Sequence, residues 1–296
     1  MAEVKFPDYR AYEAARIVVN DAMNALLVGS RLGVHLLTMV GQSNELLSAE
    51  FPTIEHIRRF DVRVPTARAM LSNADHHFAA VAIPYAMSAH EDFISGCLAS
   101  LRAEGVPVVN GGQSLPAGAV NASNMHSALF ESTGGPAAIG DLEVFHIVRL
   151  VRNCIVHRGG RISSALRSEV ATLSASAVAD WAGVTGEAPG DLLAHDPVRL
   201  SAGHAFMAFA VTKRLGRAAN HAMQIGYPRP AWARLVVDDF AEGARQPRNS
   251  DQWRRALLGF SARQYGPIGL LDAELETAAR ATGAWTRNES FAHLAK

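Results

Sequence analysis

The stretch Glu143 to Arg161, EVFHIVRLVRNCIVHRGGR, constrains the fold more than any other part of the chain. Set at roughly 100° per residue, it places Val144, Ile147, Val148, Leu150, Val151, Cys154 and Ile155 on one broad arc. An apolar arc of that width predicts a helix buried in a bundle, with Val148, Val151 and Ile155 almost fully covered. His146, Arg149, Arg152, Asn153 and His157 fall on the complementary arc. Asn153 and His157 are four residues apart and share a face; Arg152 lies at its edge. Gly159 and Gly160 stop the helix, because glycine readily takes the left-handed conformation that closes a helix. His157 is therefore expected in the last turn, beside solvent or another chain.

Helical intervals recur along the rest of the sequence. Residues 8–50 read as helix broken once, weakened by Gly29, Gly33 and Gly41 and ended by Phe51-Pro52. A brief helix is expected after Pro52. Pro65 opens a segment to about 104 that Pro84 should kink or split. Residues 105–140, rich in Gly, Pro, Asn and Ser, read as a long ordered loop or insertion with a short helix near 124–131. In 163–190, Val178, Trp181 and Val184 are anchors of a strand or short helix. A last core helix spans 198–224. Three shorter patterns follow: 231–242, 251–264 and 267–281. Strand alternation is nearly absent, so the expected class is all-α. Helices 65–104, 141–158 and 198–224 are expected to pack together, between an N-terminal helical segment (1–64) and a small C-terminal helical extension (228–296).

Lys+Arg and Asp+Glu both number 28, so no bulk positive field advertises nucleic-acid binding. Any such contact has to come from a local patch. Charged residues make up 19% and hydrophobic residues 49%, a balance that a large core or an extensive protein interface would explain. Cys97 and Cys154 sit in apolar helical patterns and read as buried thiols. No Cys/His set has zinc spacing, and the adjacent His76-His77 point to different sides of a helix, so no metal and no cofactor is expected. Gly111-Gly112 and Gly134-Gly135 lack the strand–glycine–helix setting of a phosphate loop, and no Gly-x-Ser-x-Gly elbow occurs. No basic-then-apolar leader opens the sequence, and no uninterrupted apolar run approaches the ~18 residues of a membrane span. The expectation is a soluble cytoplasmic protein.

The cluster Arg152-Asn153-x-x-x-His157, ending a helix at Gly159-Gly160, resembles the Arg-x(4–6)-His motif of the HEPN domain superfamily in its more specific form, where a polar residue follows the arginine. Residues 83–98 resemble the first core helix of several of these families, with the acidic pair Glu91 and Asp92 before Phe93. The resemblance implies a HEPN-like antiparallel helical bundle over residues 65–227. It also implies a metal-independent endoribonuclease of the kind found in toxin–antitoxin and phage-defence systems, in which two motifs meet across a homodimer as one composite site. Arg152, Asn153 and His157 would then be catalytic, and Glu91 or Asp92 would support the motif side chains. Arg149, Arg158 and Arg161 would bind RNA, and an antitoxin or defence-system protein would be a further partner. The residue types suit the chemistry. Histidine transfers protons near neutral pH, arginine holds phosphate oxygens and neutralises developing charge, and an asparagine amide orients either. The competing expectation is a non-catalytic helical interaction or dimerisation module, since a short motif is permissive and a fold does not fix a function.

Overall fold

The computed structural model describes residues 2–41 and 43–291; Met1, Gln42 and residues 292–296, the last five of the expected C-terminal extension, lie outside them. Among the described residues the chain is predominantly helical, with one two-stranded hairpin. The helices are α1 (Pro7–Met39), α2 (Leu47–Glu50), α3 (Val64–Ser72), α4 (Ala74–Ala103), α5 (Met125–Thr133), α6 (Ile139–Arg158), α7 (Ser164–Ala171), α8 (Ala175–Thr185), α9 (Ala202–Gly226), α10 (Arg229–Gly243), α11 (Asp251–Gln264) and α12 (Asp272–Ala281). Strands β1 (Val109–Asn110) and β2 (Gln113–Ser114) pair antiparallel.

Several sequence expectations are refined or corrected. The single break expected within 8–50 is present: it separates α1 from α2 around Gly41, at φ 80°, while α1 itself runs unbroken through Gly29 and Gly33. The segment from Pro65 is divided at Asn73, not at Pro84, which lies inside α4. Asn73 supplies the stop itself. Its backbone N–H and its Nδ2 both donate to the Ala69 carbonyl at 3.2 Å, which satisfies a group that a helix end leaves open. The stretch 105–140 holds the expected short helix, α5, and in addition a small hairpin. Gly111 and Gly112, both at positive φ, form the two-residue turn between β1 and β2, and the Glu131 carboxylate accepts both of their N–H groups at 2.7 Å. Of the two alternatives for 163–190, strand or short helix, the structure shows helix. Ser163 and Ser174 cap α7 and α8 by accepting from Leu166 N and Ala177 N, so the segment is two short helices.

Two compact units share the chain. The first comprises Met1–Ala15, Ala89–Leu142 and Lys213–Lys296; the second comprises Arg16–Ser88 and Glu143–Thr212. The boundaries fall within α1, α4, α6 and α9.

The first unit has an aromatic core of Phe6, Tyr9, Tyr12 and Phe93, with the Tyr12 and Phe93 rings stacked at 4.6 Å. Gly216 lies against Tyr12, where an added Cβ would come within 2.4 Å of the ring. The buried Asn220 amide pairs with both backbone groups of Val4, leaving no orphan at that depth. The Asp239 carboxylate receives a two-pronged contact from Arg10 and a hydrogen bond from the Tyr265 hydroxyl.

In the second unit, Leu37, Val64 and Ala67 form a small cluster with Leu47, Phe51, Val62 and Leu71 against it. Phe78 of α4 meets Phe206 of α9 edge-on at 6.3 Å. The motif helix buries Val144, Phe145, Ile147, Val148, Val151 and Cys154. Val148 and Val151 are each 1% exposed, as expected. Ile155 is only half-buried. It sits at the margin of the apolar arc in the last turn, where the helix emerges toward its glycine stop.

Candidate functional site

The motif helix is fixed at both ends within the second unit. Near its start, Glu143 Oε2 accepts from Ser174 N at 3.0 Å and from Ser174 Oγ at 2.5 Å, tying α6 to the cap of α8. At its end, Gly159 and Gly160 take φ of 60° and 84°. The Gly160 N–H donates to the Cys154 carbonyl at 2.9 Å and closes the helix. Cys154 is buried with its thiol 3.8 Å from Ser163 Oγ.

The polar arc lies where the sequence puts it. Arg152 and Asn153 are half-buried and joined, with Arg152 Nη1 donating to Asn153 Oδ1 at 3.2 Å. His157, Arg158 and Arg161 are exposed. One turn back, Arg149 Nε donates to His146 Nδ1 at 3.4 Å. Burial first, and then the Arg149 charge, pushes the His146 pKa below the usual imidazole range, while Glu169 opposes the shift. A neutral His146 leaves Nδ1 free to accept that donor. The acidic pair lies on α4 in the first unit, Glu91 half-buried and Asp92 exposed.

A cleft of about 520 Å³ opens beside the glycine stop, lined by Asn73, His76, His77, His195, Asp196, Pro197, Val198 and Arg199. Its wall is bonded to the segment that follows His157. Val198 N donates to Gly160 O at 2.9 Å, and Ile162 N donates to Asp196 Oδ1 at 3.0 Å. Gly160 has no room for a side chain here, since a Cβ would stand 3.0 Å from Pro197 Cβ. The chain from His157 to Gly160 spans at most about 11 Å, so the cleft lies close to the motif histidine. His76 Nδ1 accepts from Leu200 N at 3.1 Å, so a neutral His76 carries its proton on Nε2. Burial, then the neighbouring His77 and Arg199, push the His76 pKa down. The cleft carries one fixed positive charge, Arg199, and one carboxylate, Asp196, which accepts from Ile162 N; the Nε2–H of a neutral His76 is a further donor for an anion. Sequence reading passed over it. His76-His77 and His195–Arg199 are more than 100 positions apart, and no spacing rule joins them. Among the described residues, no three His, Cys, Asp or Glu side chains are grouped to hold a metal ion.

A buried histidine sets an acid limit on stability. His204 is buried; its Nδ1 accepts from Ser201 N at 2.9 Å, and its Nε2 lies 3.9 Å from Glu187. Burial depresses its pKa, with Glu187 opposing. A histidine depressed in the folded state is neutral where the unfolded chain has already bound a proton. The unfolded chain then binds more protons, and stability falls as pH drops below the ordinary imidazole value of about 6.5. His204, His146 and His76 all shift in this direction. We expect a lower Tm at pH 5 than at pH 7. His204→Asn, which keeps an acceptor for Ser201 N but cannot titrate, should reduce the drop. Equal melting temperatures at the two pH values would remove this reading.

Comparison with family models, with curated proteins and with solved structures finds no match to this chain.

Proposed function

We propose that the chain is a HEPN-like, metal-independent endoribonuclease that acts in the cytoplasm as a toxin or anti-phage effector. The observation that carries the proposal is the end of α6. There a hydrogen-bonded Arg152–Asn153 pair stands one turn before an exposed His157, on a helix whose opposite arc is buried. A general acid–base has to reach substrate, and an anion holder has to be held rigid. Those two burial states suit the two roles.

The reaction begins with attack of a ribose 2′-hydroxyl on the adjacent phosphorus. A 2′-O–P bond forms, the P–O5′ bond breaks, one proton leaves the 2′-oxygen and one is delivered to the 5′-oxygen. Products are a 2′,3′-cyclic phosphate and a 5′-hydroxyl. A composite site made from two copies of the chain has two His157 side chains, one to accept the proton and one to supply it. Arg152 neutralises the charge that builds on the phosphoryl oxygens. The Asn153 amide, held by Arg152, orients the phosphate or the imidazole. Arg149, Arg158 and Arg161 add local positive charge to a chain with no net charge. Incubating the purified protein with total RNA and short defined RNAs, with and without EDTA, tests the activity directly.

In this reading Arg199, in the cleft beside Gly160, contacts a further phosphate of the same RNA strand. With a 2′-O-methyl RNA that cannot be cleaved, Arg199→Ala should weaken binding. It should also reduce the slope of log affinity against log salt by about 0.7, the effect of one lost phosphate contact on a single strand. An unchanged slope would place the strand elsewhere.

A further inference from the structure

We propose that the outer face of α1 is an interface with a second copy of this chain, in which the two α1 helices pack antiparallel. Within the second unit one side of this helix is covered, at Val19, Leu27 and Leu37. On the other side Val18, Leu32, Leu36 and Met39 are 66%, 58%, 54% and 73% exposed. Single exposed apolar residues need no explanation, but a continuous apolar row marks a contact surface. These four, with the exposed Ala22, Ala25 and Gly29, recur at alternating steps of four and three residues over three heptads. That is the seam by which one helix packs along another.

The order of side-chain sizes along the seam fixes the partner and its direction. Ala22, Ala25 and Gly29 are small and precede the large Leu32, Leu36 and Met39. A parallel pair would set small against small and large against large, leaving voids in one half and crowding the other. An antiparallel pair crossing near Val28 and Gly29 sets Ala22 opposite Leu36, Ala25 opposite Leu32 and Val18 opposite Met39, each pair filling the other's space. The same crossing sets the Asp21 carboxylate opposite His35. An added Cβ on Gly29 would meet nothing within 4 Å in the single chain, so a second helix has room to approach there. The contact uses the same patch on both copies and closes as a two-fold pair. By length and composition α1 is also the one helix among the described residues able to cross a membrane. Asp21, Asn24, Arg31 and His35 interrupt its exposed surface, and Arg31 faces Asp75 at 3.4 Å, which favours the protein partner. The interface does not depend on whether the motif cuts RNA.

Light scattering on the full chain at micromolar concentration should give twice the 31.7 kDa chain mass. Leu32→Asp combined with Leu36→Asp should return it to one chain mass with the helical CD signal intact, because both side chains are exposed. Mixed oxidation of Ala22→Cys chains with Leu36→Cys chains should give a disulfide-linked pair at least tenfold above either variant alone; the native Cys97 and Cys154 are both buried. Val156→Cys, on the half-exposed end of α6, is the comparison. A monomeric wild type overturns the proposal. So does self-linking of Ala22→Cys, which means a parallel pair, and so does linking at Val156→Cys without the mixed pair. Flotation of wild type with phosphatidylcholine–phosphatidylglycerol vesicles that the Leu32→Asp/Leu36→Asp variant loses would also overturn it, and would assign the face to a lipid surface.

Discussion

His157→Ala and Arg152→Ala should each abolish RNA cleavage and leave the helical CD signal unchanged. The two scales involved are well separated. His157 is exposed and Arg152 half-buried on the polar arc, so truncating either opens no apolar cavity. A surface change away from the core usually shifts stability by less than about 0.5 kcal/mol, although at Arg152 the loss of its bond to Asn153 adds to that. Removing a positioned acid or base typically costs on the order of 10²–10⁴ in rate. Cleavage and a melting curve on the same sample therefore distinguish a lost proton carrier from a lost fold. EDTA should have no effect, because histidine and arginine carry both proton transfer and charge neutralisation. DNA should survive because it lacks the attacking hydroxyl. If wild type and both variants all leave RNA intact, and expressing wild type causes no growth arrest that His157→Ala relieves, the interaction module takes the nuclease's place.

The local parts of this architecture were legible and the long-range parts were not. Helices α6 and α11 could be read closely from periodicity and their stops. The glycine pair after His157 is a chemical signal that acts within one turn, and α11 keeps the bounds its periodicity gave, with Ser250 capping it by accepting from Trp253 N. Of the three glycines that weaken the first helical stretch, Gly41 marks its break, at φ 80°, and Gly29 and Gly33 stay inside α1, because propensity is a weak prior that tertiary packing overrides; a Cβ on Gly33 would stand 3.0 Å from Leu71. Asn73 was missed as a helix end because its stop depends on its own side chain turning back to Ala69. In the candidate site, the polar arc of α6 was readable from spacing alone. The histidine cleft was not, since His76 and Arg199 meet only through the fold. The exposure of the α1 seam was not legible, as a periodic pattern shows which face is apolar but not what covers it.

Phe145→Ala should do the reverse of His157→Ala, weakening the fold and leaving the chemistry. Phe145 is fully buried on the same helix as the motif, about two turns before Arg152. Truncating a buried phenylalanine removes its transfer free energy and leaves a cavity, a combined cost of about 3–5 kcal/mol. Against a typical total of about 5–15 kcal/mol, that is a large share of what keeps a chain folded. The loss should lower Tm by on the order of 10 °C, given about 2–4 °C per kcal/mol at this size. The chain has two compact units, and Phe145 belongs to the second. If the units melt separately, only one of two calorimetric transitions should move; if they melt together, the single transition should move as a whole. Below the lowered transition the folded fraction still carries Arg152, Asn153 and His157 unaltered, so cleavage per folded molecule at low temperature should match wild type. An unchanged Tm would mean that Phe145 is not packed in a core. A normal Tm shift with cleavage lost even at low temperature would mean that the arc of α6 facing the core also sets the geometry of the arc facing the substrate.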